Sequence, residues 1–216
     1  TRPGSPPGLI TKNLSIQRET GGTMGCNKKA LVALIGSVFM AGATQVLAGS
    51  SASMMANTCA GCHGTNGQSA GPASPNLAGM SESYFNDSMK AFKEGTRPAT
   101  IMDRIAKGYS DEQIETMAGF FAGQPVYKAM VPHDAAKAKA GAETYDKSCA
   151  KCHDEGGSLP GDDAGILAGQ WLPWMQYSMA DFKAGNREMP KKMAKQVEKL
   201  SDAEIDAVLN YFASQK

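Results

Sequence analysis

Two short segments of the chain carry the grouping Cys-x-x-Cys-His, at Cys59–His63 and again at Cys149–His153. In covalent haem attachment, two thiols add to the two vinyl groups on one porphyrin edge, and the histidine that follows binds the iron. Disulfides, a redox dithiol and half of a zinc site are other chemistries open to paired cysteines. None of them requires a histidine directly after the second cysteine, so we predict two haems c.

The predicted haem residues occupy matching places in the two motifs. The thioether cysteines are Cys59, Cys62, Cys149 and Cys152, and the proximal iron ligands are His63 and His153. For the distal position we favour Met102 and Met193, each eight residues before a serine that begins a helix. Methionine opposite histidine raises the potential and fills the iron, which suits electron transfer. Met189 is the alternative to Met193, and no catalytic residue is predicted.

The two motifs belong to a longer internal repeat. Segments 58–79 and 148–169 match at nine of their 22 positions. A shift of 90 residues superposes the motifs, and the shift becomes 91 after Arg97 because the second copy has one more residue. A repeat of this length predicts two domains of one fold. We expect an N-terminal domain at 49–126 and a C-terminal domain at 127–216, joined by a proline-containing linker.

Each copy of the repeat predicts helices. Phe85, Met89 and Phe92 are spaced i, i+4, i+7, which is typical of one apolar helix face, and the same spacing recurs 90 residues later. Capping boxes at Ser110 and Ser201 begin a last helix in each copy. No segment shows sustained strand alternation. The predicted fold class is therefore all-α, with two tandem cytochrome c-like domains related by internal duplication.

A difference between the copies falls beside the proximal histidines. In small monohaem c cytochromes a proline carbonyl accepts the N–H of the proximal imidazole, and Pro75 occupies that place in the first copy. The second copy has Gly165 there, whose carbonyl is available but less rigidly held. We therefore predict that the two haems differ in potential.

The first 48 residues predict targeting rather than fold. Residues 1–23 begin with a Pro/Gly-rich stretch and are interpreted as upstream sequence, whereas 24–48 has the lysines, apolar run and small-residue end of a secretory signal peptide. Ala30–Leu47 spans 18 residues, so an uncleaved membrane anchor is the alternative. Its glycines and polar residues favour cleavage, export to the periplasm and no stable membrane insertion afterwards.

Charge provides no indication of a nucleic-acid partner. The whole chain carries a formal net charge of +1. From Gly49 onward, 17 Lys and Arg residues against 20 Asp and Glu residues give 17 − 20 = −3.

Four phrases resemble one family in particular: "CAGCHGTNGQSAGPASP", "TIMDRIAKGYSDEQIETMAGFF", "ILAGQWLPWMQYSMADF" and "MPKKMAK". Together they are similar to the dihaem cytochrome subunit of flavocytochrome c sulfide dehydrogenase, over residues 53–215. The resemblance implies a periplasmic heterodimer with an FAD-containing flavoprotein that oxidises sulfide. Electrons then pass through the two haems to a small soluble cytochrome c. FAD is expected only on the partner, and the chain is not an enzyme by itself.

Two other functions share the same motifs. One is a free-standing dihaem cytochrome c that carries electrons toward a terminal oxidase. The other is a dihaem enzyme with one open iron, such as a peroxidase, whose high-spin haem would bind cyanide or carbon monoxide.

Overall fold

The computed structural model describes residues 51–216, so the predictions for 1–23 and 24–48 lie outside the described residues. Every regular element in the described part is helical, which confirms the all-α class. No helix within 51–216 is both long enough and apolar enough to cross a membrane.

Helices of the N-terminal domain are α1 (Ala52–Asn57), α2 (Ala60–His63), α3 (Glu82–Glu94), α4 (Met102–Ala106) and α5 (Asp111–Ala122). Ser81 begins α3 because its side chain accepts a hydrogen bond from the Tyr84 N–H. Gly95 ends α3 with a left-handed φ of 76°. The predicted capping box of Ser110 and Gln113 is present at the start of α5.

The predicted apolar face of α3 is the face that becomes buried. Phe85 and Met89 pack with Ile114, Met117 and Phe121 of α5 in one core. The rings of Phe85 and Phe121 lie 5.4 Å apart between centroids. Each such side chain contributes about 1.5 to 3 kcal/mol when it is fully buried, so this core fixes α3 against α5.

Helices of the C-terminal domain are α6 (Ala135–Thr144), α7 (Leu172–Lys183), α8 (Lys191–Val197) and α9 (Asp202–Ser214). Helix α6 ends at Thr144, and a widened π turn, Tyr145–Cys149, leads from it into the second motif. Helix α6 packs across α9. At the crossing, Gly141 approaches the backbone of Ala207 so closely that no larger side chain fits.

Backbone hydrogen bonds repeat from one domain to the other. Leu77 N–H donates to Gly67 (2.8 Å) and Leu167 N–H to Gly157 (2.9 Å). The glycine that closes each Leu-Ala-Gly segment donates to the last helix of its own domain, at 2.9 Å in both cases. The duplication seen in the sequence is therefore a duplication of structure.

The glycines that close the two Leu-Ala-Gly segments also leave room for the linker between the domains. Gly79 has φ 77° and Gly169 has φ 63°, both in the left-handed region. A Cβ on Gly79 would lie 2.6 Å from a methyl of Val126, and one on Gly169 would lie 2.7 Å from Cα of Lys128. Residues 126–128 thus run directly over both glycines, which explains why the segment recurs.

The domains are held together by a buried polar contact. Asn76 N–H donates to Oε1 of Gln170 (2.8 Å), and Nε2 of Gln170 donates back to the Asn76 carbonyl (3.3 Å). Beside this pair, the Trp171 ring packs on Gly71 and its Nε1 donates to the Ser69 carbonyl (3.1 Å). Both groups join the loop that follows the first motif to the start of α7.

Candidate haem-binding sites

The first motif forms a compact helical turn. The His63 N–H donates to the Cys59 carbonyl (2.9 Å), and the Gly64 N–H donates to Ala60 (2.9 Å) and ends α2. Cys59 is half-buried and Cys62 is exposed, and the four cysteines of the described chain form no disulfide with one another. A thiol pair on one turn, with an imidazole next to it, is the donor set that thioether-bound haem requires.

His63 is held by its ring as well as by its backbone. The side chain is 8% exposed, and Nδ1 lies 2.8 Å from the carbonyl oxygen of Pro75, as predicted. A carbonyl oxygen can only accept, so Nδ1 carries the hydrogen. Burial lowers the pKa of His63, although the Pro75 bond partly opposes this, and the neutral ring leaves the Nε2 lone pair free to bind a metal.

The second motif holds its histidine differently. His153 has φ −117° and ψ 70°, outside the helical region, and its buried Nδ1 has no hydrogen-bond partner among the described residues. Burial lowers the pKa of His153, while the nearby carboxylates of Asp163 and Asp154 oppose the change. The Gly165 carbonyl, which could have served as the acceptor, makes no such bond.

Packing between the domains explains why glycine stands at position 165. A Cβ there would lie 2.8 Å from the ring of Tyr84, which comes from the other domain. Proline, the residue at the matching position of the first copy, would collide with that ring. The difference in sequence between Pro75 and Gly165 therefore originates in the domain interface.

The candidate distal methionines lie on the short helices of each domain. Met102 begins α4 and packs, half-buried, against the N-terminal core. Met193 lies half-buried on α8, and Met189 precedes that helix. Of the two, Met189 lines a cleft between α7, α8 and α9, whereas Met193 is not among its lining residues. The geometry thus keeps both methionines as candidates for the second site.

That cleft has both apolar and charged walls. It has a volume of about 350 Å³ and is lined partly by Phe182, Val197, Leu200 and Ile205, together with Lys183 and Glu198. Cys149, Cys152 and His153 are not among its lining residues. Haem attachment at the second motif is therefore argued from the two thiols and the imidazole and not from this cleft.

The thiols do not have the properties of a redox dithiol. Burial raises the pKa of Cys149 to about 11, and the nearby Cys152 thiol adds to the effect. Burial also raises the pKa of Cys59. Reactive Cys-x-x-Cys pairs have a lowered pKa, so these cysteines lack the thiolate character that disulfide exchange needs.

The side chains of the described residues do not bring together enough donors to hold a metal ion on their own. Within residues 51–216, no group of three or more His, Cys, Asp and Glu side chains could hold a metal ion. A structural zinc site uses four such ligands.

A cationic cluster lies between the two domains and was missed by the sequence reasoning. Arg187 donates to the Tyr84 hydroxyl (3.2 Å), and Arg97 lies beside the same phenol. Burial lowers the pKa of Arg97 to about 10, and the Arg187 charge adds to the shift. Burial raises the pKa of Tyr84, but the two guanidinium groups outweigh it and the net shift is downward. The only sequence signal for this cluster was that Arg97 and Arg187 occupy equivalent positions in the repeat.

Each guanidinium of this cluster is also held within its own domain. Arg97 lies over the Phe92 ring at 4.6 Å, and Arg187 lies over the Phe182 ring at 4.2 Å. The repeat therefore brings two equivalent cations face to face, with a single phenol between them.

Family models match both halves of the described chain. Residues 48–125 match cytochrome c, and residues 136–212 match cytochrome C oxidase, cbb3-type, subunit III. The two matched regions each contain one Cys-x-x-Cys-His motif. Two cytochrome c domains indicate two haems c.

Individual relatives carry dihaem electron-transfer functions. A thiosulfate dehydrogenase electron acceptor of Thiomonas intermedia is 30% identical over 200 residues, covering 85% of this chain and 89% of that protein. The cytochrome subunit of sulfide dehydrogenase of Chlorobaculum tepidum is 44% identical over 64 residues, covering 30% of this chain and 57% of that protein. Reduced cytochrome c4 from Pseudomonas stutzeri superposes with a TM-score of 0.67 at 26% identity, covering 76% of this chain and 97% of that one.

Proposed function

The chain belongs to the dihaem cytochrome c family, and from this premise we propose that it is the electron-transfer subunit of a periplasmic sulfide:cytochrome c oxidoreductase. It receives electrons from an FAD-containing flavoprotein that oxidises sulfide. It then delivers them to a small soluble cytochrome c. The chain supplies no catalytic residue of its own.

One observation carries the electron-transfer role: two matched haem-attachment motifs lie in domains that are locked together by buried contacts. The reciprocal hydrogen bonds of Asn76 and Gln170 and the packing of Trp171 on Gly71 fix the domains relative to each other. Two redox centres at a fixed separation exchange electrons without any domain motion.

The proposed haem residues follow the motifs. The thioether cysteines are Cys59, Cys62, Cys149 and Cys152, the proximal ligands are His63 and His153, and the distal ligands are Met102 and Met193. When bound, the haems supply one-electron chemistry, while the protein orients and tunes them. Burial keeps both imidazoles neutral, which is the form that binds iron.

Sulfide as the donor is supported by sequence similarity. The phrases between the haem motifs resemble the cytochrome subunit of flavocytochrome c sulfide dehydrogenase. The relative from Chlorobaculum tepidum, which is named as that subunit, has 44% identity over the aligned 64 residues. The alignment covers only 30% of this chain. The flavoprotein partner is therefore part of our proposal and does not follow from the similarity itself.

The two-haem arrangement also suits a flavin donor. A flavin takes two electrons together from sulfide, whereas each haem accepts one. A subunit with two haems can therefore empty a reduced flavin in two steps.

A free-standing carrier toward a terminal oxidase is the second candidate. It is favoured by the superposition on cytochrome c4, which extends over 97% of that chain. Both candidates use the same haem residues, so they differ in the electron donor and in the acceptor.

Purification of the native protein under gentle conditions tests the choice. If the sulfide dehydrogenase proposal is right, a flavin-containing chain copurifies, and sulfide reduces the haems only when that chain is present. If the haem protein purifies without a flavin-containing chain, and adding the flavin-containing fractions back does not make its haems reducible by sulfide, the free-standing carrier replaces the sulfide dehydrogenase proposal.

A further inference from the structure

Tyr145 lies buried behind the second haem-attachment motif, and its hydroxyl group makes two hydrogen bonds. It donates to the carbonyl oxygen of His153 (2.8 Å) and accepts the N–H of Gly156 (2.8 Å). The side chain is 6% exposed. A single hydroxyl thus joins the two ends of the turn 153–156.

That turn lacks the self-closing geometry of the first motif. Glu155 has φ 50° and Gly156 has φ 69°, and a left-handed conformation costs energy at glutamate. The first copy also has a left-handed non-glycine residue, Asn66 (φ 57°), but asparagine tolerates this conformation. In the first domain, helix α2 continues through His63 and is closed by the Gly64 N–H. The second turn is held in shape by a side chain from outside it.

The N-terminal domain has no counterpart of this hydroxyl group. A shift of 90 residues places Met55 where the C-terminal domain has Tyr145, and a thioether cannot bridge the turn in this way. Conversely, the His63 ring is fixed by the Pro75 carbonyl, whereas Nδ1 of His153 has no partner among the described residues. The two histidines are therefore held by different means.

We propose that Tyr145 is the positioning residue of His153. Tyr145 holds His153 by its backbone carbonyl, whereas Pro75 holds His63 by its ring in the other domain. Phe212 adds to the constraint, since its ring meets Tyr145 at 5.7 Å and His153 at 5.9 Å, edge to face in both cases. The proposal depends on haem binding at the second motif and is independent of the electron donor.

Tyr145→Phe in the dihaem holoprotein removes one oxygen atom and keeps the ring. The measurements are the haem-substituent and axial-histidine NMR signals and the two midpoint potentials. We expect the signals and the potential of the second haem to shift while those of the first haem stay unchanged, because the His153 ring settles at a new angle. Identical spectra and potentials for the variant and the wild type would overturn the proposal.

Tyr211→Phe is the matched control. Tyr211 stacks on Tyr145 at 4.7 Å between ring centroids, but its hydroxyl makes no hydrogen bond within the described residues. Both substitutions keep the stacked rings and remove one phenol oxygen, so an effect that does not depend on the hydrogen bonds of Tyr145 would appear in both variants. We expect the control to leave the second haem unchanged, and an equal shift in both variants contradicts the specific role of the Tyr145 hydroxyl.

A measurement on the unmodified holoprotein covers the case in which Tyr145→Phe fails to retain haem. The Gly156 N–H is half-buried and bonded to the phenol oxygen, so its hydrogen exchange is expected to be about tenfold slower than that of a free amide in this turn. Exchange at the rate of an unbonded amide shows that the bridge is not formed, which overturns the proposal without any variant.

Discussion

Replacing Gln170 with Met tests the contact that locks the two domains. Gln170 is 2% exposed, and its Oε1 accepts from Asn76 N–H (2.8 Å) and Trp171 N–H (3.2 Å). Methionine has a similar size, and Met80 occupies the matching position of the first copy. The substitution therefore removes hydrogen bonds without leaving a large cavity.

The expected cost follows from the groups left behind. The buried Asn76 N–H and the part-buried Trp171 N–H lose their acceptor, and an unsatisfied buried group costs about 1 to 3 kcal/mol. We expect the free energy of unfolding to fall by about 2 to 5 kcal/mol in Gln170→Met. Gln68→Met is the control, since Gln68 is exposed and its side chain makes no hydrogen bond within the described residues.

Chemical denaturation of the dihaem holoprotein, followed by far-ultraviolet circular dichroism, measures the difference. Loss of the lock should also let the domains unfold at separate denaturant concentrations, because the contact couples them. If Gln170→Met loses no more than about 0.5 kcal/mol, the range of an ordinary surface substitution, and keeps a single transition, the buried pair does not hold the domains together.

Three further outcomes are expected. Gly141→Ala should lower the thermal midpoint, because the added methyl meets the backbone of α9, whereas Gly119→Ala on open α5 should raise stability by about 1 kcal/mol through helix propensity. Met193→Ala should abolish the sulfur-to-iron absorption band of the second haem; if Met189→Ala does so instead, the distal assignment moves to Met189. The midpoint potential of the second haem, measured by spectroelectrochemistry, should lie about 20 to 60 mV above that of the first. The reason is that Nδ1 of His153 lacks the hydrogen bond that makes an imidazole a stronger electron donor to iron. Equal potentials would contradict this.

The local elements of this fold could be predicted from the sequence. The apolar face of α3 and the capping box at Ser110 are short-range patterns, and both are present in the structure. The hydrogen bond from His63 to Pro75 was also predicted, from the place that a proline occupies in small monohaem c cytochromes. Interactions that depend on residues near in the chain leave a visible pattern in it.

The surroundings of the second motif could not be predicted from such local patterns. Gly165 was expected to offer a less rigid acceptor to His153, and the structure has no such bond. The presence of glycine at 165 is itself explained 81 residues away, where the Tyr84 ring occupies the space that a larger residue would need. Spacing within a motif carries no information about a ring from another domain.

The sequence by itself determined that haem chemistry occurs twice, because thioether attachment demands two thiols and an imidazole at fixed spacing along the chain. It also determined the duplication and the helices. Only the tertiary structure decided how the two copies differ. The cluster of Arg97, Tyr84 and Arg187 and the lock at Gln170 join groups that are distant in the chain. Such contacts form only when packing brings the groups together, and packing is a property of the whole domain pair.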